Sequence, residues 1–136
     1  MKVLVDTSVW SLALRRNTEH TENQSFVHEL EELLLDAKIS ILGIIRQELL
    51  SGISDAAVFN RLKKRLALLD DEEIIPADYI SATEFYNACR IHGIQGSTVD
   101  FLICAVAARN DWPIFTTDKD FTRYAKHIPI KLHNPR

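Results

Sequence analysis

Four acidic side chains sit in apolar surroundings, where a carboxylate is not needed for solubility. Asp6 ends the run Val3, Leu4, Val5 in "KVLVDTSVW". Glu48 lies in "IIRQELLSGI", three residues after Ile45 and beside Leu49 and Leu50. Asp100 is the only charge between Ser97 and Arg109, and Asp118 falls in "IFTTDKDF". Gathered together, such groups repel: two unit charges about 4 Å apart interact by about 4 kcal/mol at an effective dielectric of about 20. A cluster of them demands protons, an arginine or lysine, or metal ions. Oxygen-only ligands suit Mg2+ or Mn2+ rather than zinc. The five histidines, at 20, 28, 92, 127 and 133, form no HExxH-like pair and read as surface residues.

Each acid also has a local structural reading. Asp6 precedes a helical segment and could cap it, although Thr7 and Ser8 are available for that task. Glu48 could be a solvated helix glutamate paired with Arg46. Asp100 stands three residues after Ser97, the spacing of a capping box, yet a carboxylate at the head of a buried helix is costly to desolvate. For Asp118 the cap is assigned elsewhere, because Thr117 and Asp120 have capping-box spacing. Asp118 is then left over at the end of a strand, and Asp120 is mainly structural.

The elements that must position these acids follow from hydrophobic periodicity. Val3 to Val5 and "ISIL" at 39–42 are short apolar strands. "EEIIPA" predicts a third, cut off by Pro76; "PIFTTD" is a fourth, and "IPIKL" a last edge strand. Helices are predicted from Thr7 to about Leu14, on the stripe Phe26, Leu30, Leu33, Leu34, and from Gly43 to Leu50. Further helices carry Phe59, Leu62, Leu66 and Leu69, then Ala82, Phe85, Tyr86 and Cys89. Ser97 to Arg109 is apolar almost all round, so it should be the central buried helix. A short helix covers 118–126, and "RRNTEHTEN" at 15–23 reads as a loop. Strands alternating with helices imply an α/β fold with a mostly parallel central sheet of four to five strands. Ligands bind at the carboxyl ends of such strands, where Asp6 and Asp118 fall.

The chain of 136 residues is one domain, 1–136, with 46% hydrophobic and 26% charged residues and a formal net charge of -3. That balance argues against holding nucleic acid by bulk positive charge, though bound cations can supply charge locally. Cys89 and Cys104 lie in helical patterns and read as reduced, buried thiols. The first residues enter a strand without a signal-peptide pattern, and no apolar run is long enough to span a bilayer. The expectation is a cytoplasmic protein with no membrane partner.

"VLVDTS" at 3–8, "QELLSG" at 47–52, "TVDFLICAVA" at 98–107 and "IFTTDKDF" at 114–121 occur in the order of the PIN-domain nucleases. The chain resembles that family over essentially its whole length, and most of all the small VapC toxins of toxin–antitoxin pairs. The resemblance implies a single PIN-like domain and a metal-dependent endoribonuclease that leaves a 5′-phosphate and a 3′-hydroxyl. By position its acids are Asp6, Glu48, Asp100 and Asp118, with Mg2+, or Mn2+ in its place, held by Asp6, Asp100 and Asp118. Glu48 would bind metal or orient the attacking water. Thr116 matches the family's frequent hydroxyl before the last acid, and Asp120 an acid that some members add. The resemblance also implies a homodimer and a cognate antitoxin that occupies the active-site groove.

An RNA substrate needs phosphate contacts. Arg15, Arg16, Lys119 and Arg123 flank the acids in sequence and are the candidates. "RLKKR" at 61–65 is the densest basic run but fits a solvated helix face, and Trp10 fits the core or an antitoxin contact better than a base-stacking platform. An aspartyl-phosphate enzyme of the haloacid-dehalogenase type wants a second Asp two residues after the first, and position 8 is Ser. The other alternative is a PIN-like module that binds RNA or a partner without cutting.

Overall fold

Val3–Val5 forms β1, fully enclosed, and three further strands line up parallel to it in a computed structural model that describes residues 1–14 and 21–135. β2 (Ile39–Ile41) pairs with β1 in the register Val3 to Ile39 and Leu4 to Ser40. β4 (Ile114–Phe115) flanks β1 on its other side, Leu4 against Ile114 and Val5 against Phe115. β3 (Asp70–Asp71) closes the far edge against β2, so the order is β3-β2-β1-β4. The strands are short, all parallel, and the interior ones are wholly apolar apart from Ser40, as expected of a sheet covered on both faces.

Between the strands run α1 (Thr7–Leu14), α2 (Thr21–Leu35), α3 (Gly43–Leu50), α4 (Ala56–Leu66), α5 (Pro76–Ile91) and α6 (Thr98–Asn110), and α7 (Asp120–Tyr124) follows β4. α6 is the central helix: Phe101 to Ala107 are all buried, as its unbroken apolar run predicts. It packs along α5, and the two are latched by Arg109, which donates to Asp78 Oδ1 at 2.8 Å and Oδ2 at 3.1 Å. α5 stops at Gly93, whose φ of +74° suits glycine and lets the chain reverse. Asp55 starts α4 by accepting from the Ala57 and Val58 N–H groups. The basic residues of α4 lie on its exposed face, as a solvated face requires.

Three predicted elements differ. The third strand forms at Asp70–Asp71, not in "EEIIPA". Arg109 pulls that later segment away from the sheet by donating to the Glu73 carbonyl at 2.9 Å, and Pro76 opens α5, where its missing N–H costs nothing. The edge strand is two exposed aspartates paired with Lys2 and Arg46, a charged edge that resists further pairing. "IPIKL" yields only a single parallel bridge, Leu132 to Ile114, beside β4. Of the predicted loop at 15–23, residues 15–20 lie outside the described residues and the remainder is helical, since α2 begins at Thr21.

Cys89 and Cys104 are buried and free, and burial pushes both thiols up, Cys104 furthest, so they are inert core groups. Trp10 is core as well. His133 departs from its predicted surface role: it is half-buried, with its ring 2.9 Å from the Glu29 carboxylate. No helix among the described residues is long and apolar enough to cross a membrane.

Candidate active site

The parallel register brings the ends of β1 and β4 side by side, so Asp6 and Thr116 meet directly. Thr116 Oγ1 donates to Asp6 Oδ2 at 2.9 Å, and Ser8 Oγ donates to the same oxygen at 2.8 Å. The two hydroxyls lie 3.2 Å apart. Thr116 Oγ1 in turn accepts the Asp118 N–H at 3.0 Å, and Ser8 Oγ accepts the Thr117 N–H at 3.0 Å. A network of short bonds thus ties the first strand end to the loop that carries Asp118.

The hydroxyls after Asp6 are therefore not helix caps, contrary to the sequence reading. α1 starts on the Asp6 carbonyl, which accepts from Val9 N–H at 3.1 Å, while the Asp6 side chain turns to the hydroxyls. Thr7 takes another role: its Oγ1 donates to Glu48 Oε1 at 3.2 Å, bringing α3 to the same edge. Arg46 does not neutralise Glu48, because it pairs with Asp71. The cap expected from Thr117 and Asp120 is made instead by Asp118, whose Oδ1 accepts the Asp120 N–H at 2.9 Å. Asp118 keeps a second oxygen for other work.

Asp100 arrives from the first turn of α6. Its N–H donates to Ser97 Oγ at 3.0 Å, so half of the predicted capping box forms. Its carboxylate is held elsewhere: Tyr124 Oη donates to Asp100 Oδ2 at 2.8 Å. Burial raises the Asp100 carboxyl above the ordinary carboxylate range. The Tyr124 and Ser97 hydroxyls draw it back, and the negative charges of Asp6 and Asp118 raise it further. Those two carboxylates are thus within electrostatic reach of Asp100. Burial and the Asp100 acceptor push the Tyr124 phenol far up, so it stays a donor.

Asp6 is only 7% exposed, and a buried carboxylate without a counter-charge is costly. Among the described residues no lysine or arginine pairs with Asp6, Glu48, Asp100 or Asp118. An all-oxygen set with surplus negative charge is what a hard divalent cation neutralises. No three acids among the described residues close around one point as they stand. Mg2+ does not require that, since it keeps several waters and is bound through one or two carboxylates. An all-oxygen donor set of this kind fits a hard divalent cation.

Of the candidate phosphate contacts, Lys119 is exposed and lines a cavity of about 380 Å³ with Thr116, Asp118 and Asn134. Arg123 is exposed on α7, with Asp120 3.8 Å away. Arg15 and Arg16 lie outside the described residues. Two residues of the site stand outside the expected set: Ser8, which supports Asp6, and Tyr124, which holds Asp100. The only one-dimensional signal for Tyr124 is its spacing from Phe121, which places both rings on one buried face of α7.

The sequence profile of the PIN domain matches residues 3–127. The chain belongs to the PIN domain family. PIN domains are in general nucleases, and Asp6 and Asp118 of this one follow the carboxyl ends of β1 and β4, where such folds bind ligands. Solved structures share the fold. FitAcB from Neisseria gonorrhoeae is 22% identical with a TM-score of 0.70, over 98% of this chain and 97% of that one. VapBC2 from Rickettsia felis, bound to a DNA fragment from its promoter, is 18% identical with a TM-score of 0.73 over the whole of both chains. A toxin–antitoxin complex from Klebsiella pneumoniae is 18% identical with a TM-score of 0.59, covering 88% of this chain and 90% of that one. No curated protein matches the sequence.

Proposed function

We propose that this PIN domain is a divalent-cation-dependent endoribonuclease, the VapC-like toxin of a toxin–antitoxin pair. The observation that carries the reading is the buried, hydroxyl-braced Asp6, tied through Thr116 to the Asp118 loop and within electrostatic reach of Asp100, with no described cation set against them. Bound there, Mg2+ or Mn2+ would acidify a water and stabilise charge on the phosphate under attack. The chain's own residues do the rest. Asp6, Asp100 and Asp118 would hold the ion, and Glu48, steadied by Thr7, would orient the water or complete the ligand set. Thr116 fixes the spacing between Asp6 and the Asp118 loop. Lys119 and Arg123, with Arg15 and Arg16 from the sequence, contact RNA phosphates.

The partner in this reading is a cognate antitoxin that covers the acidic groove, and the working form is a homodimer. Support for the antitoxin comes from the neighbours in fold, among them a toxin–antitoxin complex. The test is cleavage of structured RNAs by purified, antitoxin-free protein in Mg2+, in Mn2+ and in EDTA, with Asp6→Asn alongside. Cleavage that stops in EDTA and in the variant is expected. Cleavage that persists in either refutes the reading, and RNA binding without cutting in any metal replaces it with a binding module.

A further inference from the structure

Tyr124 is fully buried, and its hydroxyl has one described hydrogen bond, to Asp100. Phenylalanine would fill the same space among the rings of Phe101, 4.8 Å away, and Phe121, 5.2 Å away. The hydroxyl is thus an addition that packing alone does not ask for, and burying it without a partner would cost free energy. Its neighbourhood is also cleared for it. A Cβ added at Gly96 would lie 2.3 Å from Tyr124 Oη, so the residue just before the Ser97 cap must be the smallest available.

α7 then links two acids. At its head Asp118 accepts the Asp120 N–H; at its tail Tyr124 donates to Asp100. Five helical residues fix the distance between those anchor points. A bond at Oδ2 also fixes the plane of the Asp100 carboxylate, and so where its other oxygen is presented. Partners that orient metal ligands in this way commonly set affinity and not only packing.

We infer that Tyr124 is a positioning residue, which sets the Asp100 carboxylate relative to Asp118 for a shared divalent cation and whose approach depends on the space at Gly96. The inference rests on the cation-dependent reading above. Its test is Mn2+ binding to the purified full chain, measured by calorimetry, for the parent protein, Tyr124→Phe and Asp6→Asn. The parent protein should bind Mn2+ and Asp6→Asn should not. Tyr124→Phe should keep its circular dichroism spectrum and bind Mn2+ about tenfold more weakly or worse, as loss of a ligand's partner does. In RNA cleavage it should lower kcat with KM unchanged, a split that a merely structural role would not produce. Parent-like Mn2+ affinity in a folded Tyr124→Phe overturns the inference while leaving the cation reading intact. Failure of the parent protein to bind Mn2+ overturns both.

Discussion

Gly96→Ala tests the space around Tyr124 without touching an acid. The backbone of Gly96 is not in the left-handed region, so the demand there is room and not conformation. The new Cβ would meet Tyr124 Oη at 2.3 Å, Phe101 Cε2 at 2.7 Å and Tyr124 Cζ at 2.8 Å, all closer than real Cβ contacts come. Tyr124 and Phe101 are buried and packed on one another, so neither ring can swing into solvent. Overpacking of this kind costs about 1–3 kcal/mol. An unfolding entropy of about 2.1 cal/mol/K per residue gives about 0.29 kcal/mol/K for 136 residues. The expected loss is therefore about 3–10 °C in Tm, read by thermal unfolding in EDTA. Removing the hydroxyl abolishes the shortest of the three contacts but leaves the two ring carbons, Phe101 Cε2 and Tyr124 Cζ. Gly96→Ala should therefore cost less in a Tyr124→Phe background than alone, a coupling that a double-mutant cycle reports. An unchanged Tm for Gly96→Ala, or strict additivity with Tyr124→Phe, would refute the packing argument.

Asp100→Asn should stabilise the cation-free protein in a pH-dependent way. Burial raises the Asp100 pKa in the folded state, so between its unfolded and folded values the native chain holds a proton that the unfolded chain has lost. Stability drains away as pH rises through that window, and above it the cost stays constant. In EDTA the variant's Tm advantage should grow from acid to neutral pH; a difference flat across that range would sink the assignment. Arg109→Met should destabilise by about 3 kcal/mol, because it strands Asp78, 1% exposed, without its guanidinium partner. Urea unfolding would report this as a lower midpoint at unchanged slope, and a midpoint equal to the parent's would show the latch contributes nothing.

What could be read from the sequence is what can be written along one line. An apolar run followed by a carboxylate marks a strand end, and Asp6 and Asp118 were legible for that reason. Asp100 was legible because one charge interrupts a helix that is otherwise buried. Capping rules misassign Thr7, Ser8 and Thr117 because they look only at the helix that follows. In the folded chain Ser8 answers to Thr116, 108 positions away, and Thr7 to Glu48, 41 positions away. For Ser8 competition decides: its hydroxyl gains more from the buried Asp6 carboxylate than from an exposed N–H, since the charge-assisted bond is the stronger one and its loss the costlier. The third strand was misplaced for a related reason, as Arg109 claims the Glu73 carbonyl that a sheet would otherwise use. Tyr124 shows the limit most clearly. Its periodicity says only that it is buried, and its function depends on a hydroxyl whose partner sits on another helix, reached through a gap that only the glycine at 96 leaves open.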